Sequence, residues 1–293
     1  MGDWCCNPEG LGGLAADISA SLNGTFVHSV ETGEGWLLDI ASGFFGSVDA
    51  QVSRVCAQLR ALPELAGGYV ALGISQGGQF LRAVVERCQH QGPRAHTLVT
   101  LGGQHQGVMA APGCASTALN GTASVWCSTM QAMLSRGAYV GFVQARVVQA
   151  QYFKDPYDLP AYLEAMPFLA DINCEYPGYK NPLYRDNLAS LQRLVLVQFD
   201  DDDMVVPKES AHFGFFNGTR LIPMRESDMY LEDWIGLKEL DTAGRIVFLN
   251  TPGRHLQFDP EWFTEQIVEP FLRVSVAGAR VGVAEQGSEV AAA

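Results

Sequence analysis

Charge is scarce in this chain and unevenly signed. Charged residues make up 17% of the 293 positions, and 19 Lys and Arg face 32 Asp and Glu, a net charge of −13. That excess repels phosphate backbones and anionic headgroups, which argues against nucleic acid and against anionic membrane surfaces. No apolar run reaches the roughly 18 residues a membrane-spanning helix needs. The first residues, MGDWCCNP, contain neither a basic n-region nor an apolar h-region, so no signal peptide is visible. None of the seven cysteines stands in C-x-x-C or Cys/His zinc spacing, so no metal site is expected. No internal repeat is found.

What remains is a hydrophobic content of 47%, enough for a sizeable core, in a length that suits one large α/β domain or two small ones. Three sequons begin at Asn23, Asn120 and Asn217. They are glycosylation candidates, and with the dispersed cysteines they lean towards the secretory route, against the missing signal peptide.

The most informative stretch is Gly73-Ile74-Ser75-Gln76-Gly77, which fits G-x-S-x-G. Residues 69–74 are a short apolar run bounded by glycines and read as a buried strand. From Gln76 the period becomes helical, with Phe80, Leu81, Val84, Val85 and Cys88 at three- and four-residue spacing. A serine at such a strand-to-helix junction has its Oγ lifted clear of the sheet, above free helix N–H groups that can hold an oxyanion. Both flanking glycines are expected to relieve clashes in so sharp a turn.

Around this unit, helices are expected over 14–22 and 48–62, and strands over 26–30, 96–101, 193–199 and 245–250. The alternation of strand and helix with short joints implies a parallel sheet covered on both faces. Residues 95–135 contain no Asp, Glu, Lys or Arg and read either as buried core with loops or as an apolar wall beside the nucleophile. Residues 135–192 show helical and loop patterns, including a helix over 140–152, and read as a cap. A closing helix is expected over 259–272, and the Ala-, Gly- and Val-rich tail from Arg273 reads as disordered.

A nucleophilic serine needs a base, and the base an orienting carboxylate. In the order Ser, acid, His, only His255 combines a position after any plausible acid with a loop just past the last strand. His28, His90, His96 and His105 come too early, and His212 falls inside a short helix just past the acidic run. The acid is sought in the aspartates at 200–203, at the C-terminal end of a strand, where sites in open parallel sheets lie. EF-hand calcium spacing is absent there. The residues alone do not choose among the four.

With these pieces assembled, the chain resembles palmitoyl-protein thioesterases of the lysosomal type 1 kind. The resemblance rests on MGDWCCNP at 1–8, GISQGGQFLRA at 73–83, GGQHQGV at 102–108, FLADIN at 168–173, GLKE at 236–239 and HLQ at 255–257. It implies an α/β-hydrolase fold over 1–272 with a helical cap inserted at about 109–192 and the tail 273–293 outside it. It also implies Ser75 as nucleophile, Asp202 as acid and His255 as base, with oxyanion N–H groups from Gln76 and Met1. Disulfides are implied between Cys5 and Cys6, Cys56 and Cys88, and Cys114 and Cys127, leaving Cys174 free.

The expected reaction is hydrolysis of a long-chain acyl thioester on a cysteine of a protein or peptide, without metal or organic cofactor. Each buried methylene of the acyl chain would add about 0.8 kcal/mol. A lipase or carboxylesterase acting on oxygen esters is the alternative enzyme, and an inactive acyl-group binder the alternative from another class. Residence in the lysosome or vacuole, or secretion, is implied. The family has a strand ending in His-Gly just before the position of Met1, so this chain is expected to start downstream of the family's usual start.

Overall fold

Four of the five strands expected from the sequence pair into one sheet in the computed structural model of the chain, which describes residues 10–110, 137–165 and 167–273. These are β1 (Tyr69–Ile74), β2 (Ala95–Leu101), β3 (Arg193–Phe199) and, after a small antiparallel hairpin of β4 (Phe215–Phe216) with β5 (Leu221–Ile222), β6 (Ile246–Thr251). Their order is β1-β2-β3-β6 and every pairing is parallel. Parallel strands are covered on both faces, which is why their sequences read as largely apolar runs rather than alternating ones.

The period of two nevertheless sorts the side chains. Ala71, Leu98, Leu194 and Leu196 join one core cluster, while Val70, Leu72, Val99, Leu101, Val195, Val197 and Phe199 join another on the opposite face. The second cluster is completed by Ile18 and Leu22, in and just past helix α1 (Leu11–Ser21), and by Phe263, Ile267 and Val268 of the closing helix. On the other face lie helices α3 (Val48–Ala61), which follows the short α2 (Trp36–Ser42), and α4 (Gln76–Cys88). Ser47 caps α3, accepting from the Ala50 N–H, and Val48, Val52, Val55, Cys56 and Leu59 form its buried stripe. Cys56 on α3 and Cys88 at the end of α4 form a disulfide.

Three expectations need correction. Residues 26–30 form no strand. Val27 and Val30 do pack on apolar clusters, but alternating burial without a hydrogen-bonded neighbour gives an extended loop, and β1 is an end strand of the sheet among the described residues. The helix expected over 140–152 is broken into Gly141–Gln144 and a 3₁₀ turn, Val148–Tyr152. Its backbone bonds elsewhere: Val148 N–H donates to Phe44 O at 3.0 Å and Arg146 O accepts from Gly46 N–H at 2.9 Å. The closing helix is α-helical only over Pro260–Phe263 and widens to π geometry over Thr264–Leu272. Asp259 caps it through the Glu261 and Trp262 N–H groups.

Among the described residues, 137–192 contain short helices at Leu159–Glu164, Phe168–Ile172 and Pro182–Ala189 and no strand. Val148, Tyr152, Tyr162, Phe168 and Leu169 from this region pack with Val48, Val52 and Phe80 of α3 and α4. A buried polar network adds to that seam. Arg82 of α4, fully buried, pairs with Glu86 at 2.9 Å and donates to Ile172 O, His105 O and Asn173 Oδ1. Burial pushes the Glu86 carboxyl up, against the lowering influence of Arg82. Residues 111–136 and the tail 274–293 lie outside the described residues, so the expectations placed on them are not addressed by the fold.

Candidate active site

The C-terminal ends of β1, β2, β3 and β6 carry the loops that meet at Ser75. Ser75 itself has φ +54° and ψ −126°, a region non-glycine residues avoid, so its conformation is held by its surroundings. Its N–H donates to Leu101 O of β2 at 2.8 Å, and its carbonyl accepts from Gly78 N–H at 2.9 Å. The steric role of the glycines differs from the expectation. A Cβ on Gly73 would stand 2.5 Å from Gly77 O, whereas one on Gly77 would meet nothing within 4 Å. The second tight position is Gly78, where a Cβ would lie 2.9 Å from Gly103 Cα in the loop after β2.

His255, in the loop after β6, reaches Ser75 Oγ with Nε2 at 2.9 Å and Asp202 Oδ2 with Nδ1 at 2.7 Å. Both side chains are largely withdrawn from water, at 9% and 2% exposure. Asp202 Oδ1 accepts from the Met204 and Val205 N–H groups at 2.9 and 3.0 Å, so the carboxylate has one oxygen tied to the backbone and the other aimed at the imidazole. The neighbouring aspartates turn elsewhere. Asp200 accepts from Asn250 Nδ2 at 2.7 Å, Asp203 pairs with Arg254, and Asp201 is exposed. Of the four aspartates, Asp202 is the one whose carboxylate faces His255.

The other histidines are otherwise engaged. His212 sits at the Leu196 and Leu249 carbonyls, with its pKa lowered by burial. His105 is fully buried and stacked on Phe213 at 4.4 Å, held neutral by burial. His96 is near Gly67 O, and His28 and His90 are at the surface.

Gln76, the other residue expected at the oxyanion, is the first residue of α4, where the helix supplies no carbonyl for its N–H. Its side chain is fixed by Gly43 O and Tyr152 OH, each at 3.1 Å. Met1, Cys5, Cys6, Cys114, Cys127 and Asn120 lie outside the described residues. Asn23 and Asn217 are both exposed, and Cys174 is buried with a free thiol.

Sequence reasoning passed over Gln79 and Gln104. Gln104 Nε2 donates to Ser75 Oγ at 3.2 Å, and the two glutamines bond to each other. The available signal was GGQHQGV itself, which follows β2 directly and therefore opens on the same sheet edge as the elbow. Beside the elbow, Gln76, Gln79, Val48, Phe80, Val148, Tyr152 and Phe168 line a narrow apolar cleft of about 10 Å³. A larger cavity of about 370 Å³, lined in part by Thr97, Arg193 and Arg245, lies at the opposite ends of the strands and is remote from Ser75.

A serine, an imidazole and a carboxylate in this geometry suit acyl transfer, and the comparisons with known proteins agree. The sequence model of the family described as Palmitoyl protein thioesterase matches residues 1–255. The chain belongs to the palmitoyl protein thioesterase family. It is 43% identical to the Palmitoyl-protein thioesterase 1 of Caenorhabditis elegans over 93% of this chain and 89% of that protein. It is 32% identical to the Palmitoyl-protein thioesterase 3 of Dictyostelium discoideum over 84% of this chain and 80% of that protein. A lysosomal thioesterase of Mus musculus is 35% identical over 41% of this chain and 40% of that protein. Family membership makes the chain a hydrolase with an α/β-hydrolase fold, in keeping with its parallel sheet and two helical layers. No described helix is long and apolar enough to cross a membrane.

Proposed function

We propose that this thioesterase-family member removes long-chain fatty acyl groups from S-acylated cysteines of proteins or peptides, using Ser75, His255 and Asp202 as its catalytic triad. The observation that carries the reading is the relay from Ser75 Oγ through His255 to Asp202, at 2.9 and 2.7 Å. His255 Nε2 takes the Ser75 proton as Oγ attacks the thioester carbonyl, and Asp202 stabilises the imidazolium. The carbonyl oxygen gathers charge against backbone N–H groups, that of Gln76 among them, with Met1 as the second donor. The tetrahedral intermediate collapses, the C–S bond breaks, and the thiolate leaves with the proton from His255. Water, deprotonated by His255, then attacks the acyl-enzyme, and Ser75 leaves with that proton.

The apolar cleft beside Gln76 is the proposed entry for the acyl chain. Its open volume of about 10 Å³ is the room of about one water, so a chain enters by parting Phe80, Val148, Tyr152 and Phe168. The proposed architecture is one α/β domain over 1–272 with residues 109–192 as its cap. The proposed location is the lysosome or vacuole, or outside the cell, with Asn23 and Asn217 exposed for glycosylation.

Hydrolysis of an S-palmitoylated peptide by wild type and by Ser75→Ala tests the function. Activity is expected to vanish in the variant with its circular dichroism unchanged; residual turnover above a few per cent would mean another nucleophile. A matched oxygen ester is run in parallel, and faster turnover of the ester would favour the lipase alternative.

A further inference from the structure

The loop after β2 carries a hydrogen-bond relay that ends on the nucleophile and that the triad leaves unused. Its direction is fixed by chemistry. Gln104 N–H is a backbone amide and can only donate; it donates to Gln79 Oε1 at 3.0 Å. Gln79 Nε2 therefore faces the Gln104 side chain, where it donates to Oε1 at 2.6 Å. Gln104 is left with its Nε2 towards Ser75 Oγ, at 3.2 Å. An isolated glutamine amide can be turned either way, but this one is anchored by a group that cannot be reversed. Gln79 and Gln104 are 1% and 4% exposed, so water does not compete for these bonds. They meet because Gly78 and Gly103 pack without side chains between them.

We infer that Gln104 is a catalytic residue that donates to Ser75 Oγ, and that Gln79 is the positioning residue that decides which end of the Gln104 amide faces it. The inference rests on Ser75 being the nucleophile. In the resting state the amide occupies one Oγ lone pair and leaves the hydroxyl proton to His255. During attack the Oγ–C bond forms while the O–H proton moves to His255 Nε2, and Oγ carries partial negative charge, against which the N–H bond is strengthened. In the acyl-enzyme Oγ is an ester oxygen, a poor acceptor. In deacylation Oγ departs with charge again, taking its proton from His255. The bond is thus stronger in both transition states than in the intermediate between them, which is the condition for raising kcat.

Gln104→Met removes the donor at similar volume. Its kcat is expected to fall about 10- to 100-fold, the range for one hydrogen bond to a charged group, with KM within about twofold. Gln79→Glu leaves an acceptor for Gln104 N–H and removes the donor to Gln104 Oε1. The Gln104 amide then turns, and its oxygen competes with His255 for the Ser75 proton. This variant is expected to lose kcat in the same direction, and Gln79→Glu is expected to add nothing in the Gln104→Met background.

The rate of Ser75 labelling by a long-chain alkyl fluorophosphonate is measured on the folded fraction of each protein, and should fall with kcat. If the methionine variant does not fold, Gln104→Glu, isosteric and without a donor, carries the same expectation. Wild-type kcat and labelling rate in whichever Gln104 variant folds would overturn the inference. So would a Gln79→Glu loss of equal size in both backgrounds. Failure of wild type to label would instead remove the Ser75 reading on which the inference rests, whereas normal wild-type labelling with unimpaired variants counts against Gln104 alone.

Discussion

Gly102→Ala places one methyl group against the proposed base without substituting any residue of the triad. Gly102 follows β2 directly with φ +60°, and an added Cβ would lie 2.8 Å from His255 Cε1, 3.1 Å from Nδ1 and 3.2 Å from Phe199 Cε2. Carbon atoms rest at about 3.5–4.0 Å, so His255 Cε1 must retreat by roughly 0.7 Å. The backbone cannot yield instead, because Gly102 N–H is bonded to Val197 O at 2.9 Å. Phe199 is fully buried in the core and has nowhere to go. The Ser75 Oγ–H···Nε2 His255 contact of 2.9 Å would then stretch past the roughly 3.2 Å limit of a good hydrogen bond. Misplacement of about 1 Å costs about 100-fold in rate, so kcat is expected to fall about 10- to 100-fold. The left-handed backbone adds about 1–2 kcal/mol of destabilisation with alanine. Steady-state kinetics and urea unfolding on the same preparation measure both. Unchanged kcat together with the expected loss of stability would mean that the His255 position is not the sensitive element, and the steric argument would fail.

Other predictions are narrower. Asp202→Asn should reduce turnover by thousands-fold, since losing the equivalent carboxylate costs about 10⁴ in the worked serine-protease case, whereas Asp201→Asn and Asp203→Asn should stay within about tenfold, because Asp201 is exposed and Asp203 holds only a surface ion pair with Arg254. Parallel kinetics on the three variants decide, and equal losses would refute the assignment of Asp202. Gly77→Ala should fold with stability equal to wild type or higher, since its Cβ meets nothing and alanine favours a helix by up to about 1 kcal/mol, while Gly73→Ala should be strongly destabilised by the 2.5 Å approach to Gly77 O. Thermal melts of the pair test this, and a Gly73→Ala melt at the wild-type temperature would contradict it. Cys174 should resist alkylation in the folded protein, because it is 1% exposed and burial pushes its thiol up to about 11. Iodoacetamide kinetics with and without denaturant, read by peptide mapping, would show rapid native labelling of Cys174 if the reading were wrong.

Local chemistry made part of this protein legible in its sequence. The apolar runs of β1 and β3 give their boundaries because parallel strands packed between helical layers are mostly apolar, and the change from run to helical period at Gln76 locates the elbow. His255 could be chosen by chain order, since a loop after the last strand necessarily opens at the same sheet edge as Ser75. Beyond that point the information is not local. Residues 26–30 carry strand-forming residues, but a strand is made by its neighbour, and none among the described residues pairs with them. The 140–152 segment has helical spacing, but its backbone is taken by residues 44–46. Four consecutive aspartates are chemically identical, and only the turn after β3 aims one of them at His255 while its neighbours face Asn250, Arg254 and water. The need for glycine at 78 and the direction of the Gln79–Gln104 relay depend on atoms 25 residues away, and the need at 73 rather than 77 depends on how closely the elbow folds back onto Gly77 O. Sequence order specifies which groups the chain carries to the sheet edge; the packing of α4 against the loop after β2 decides which of them touch.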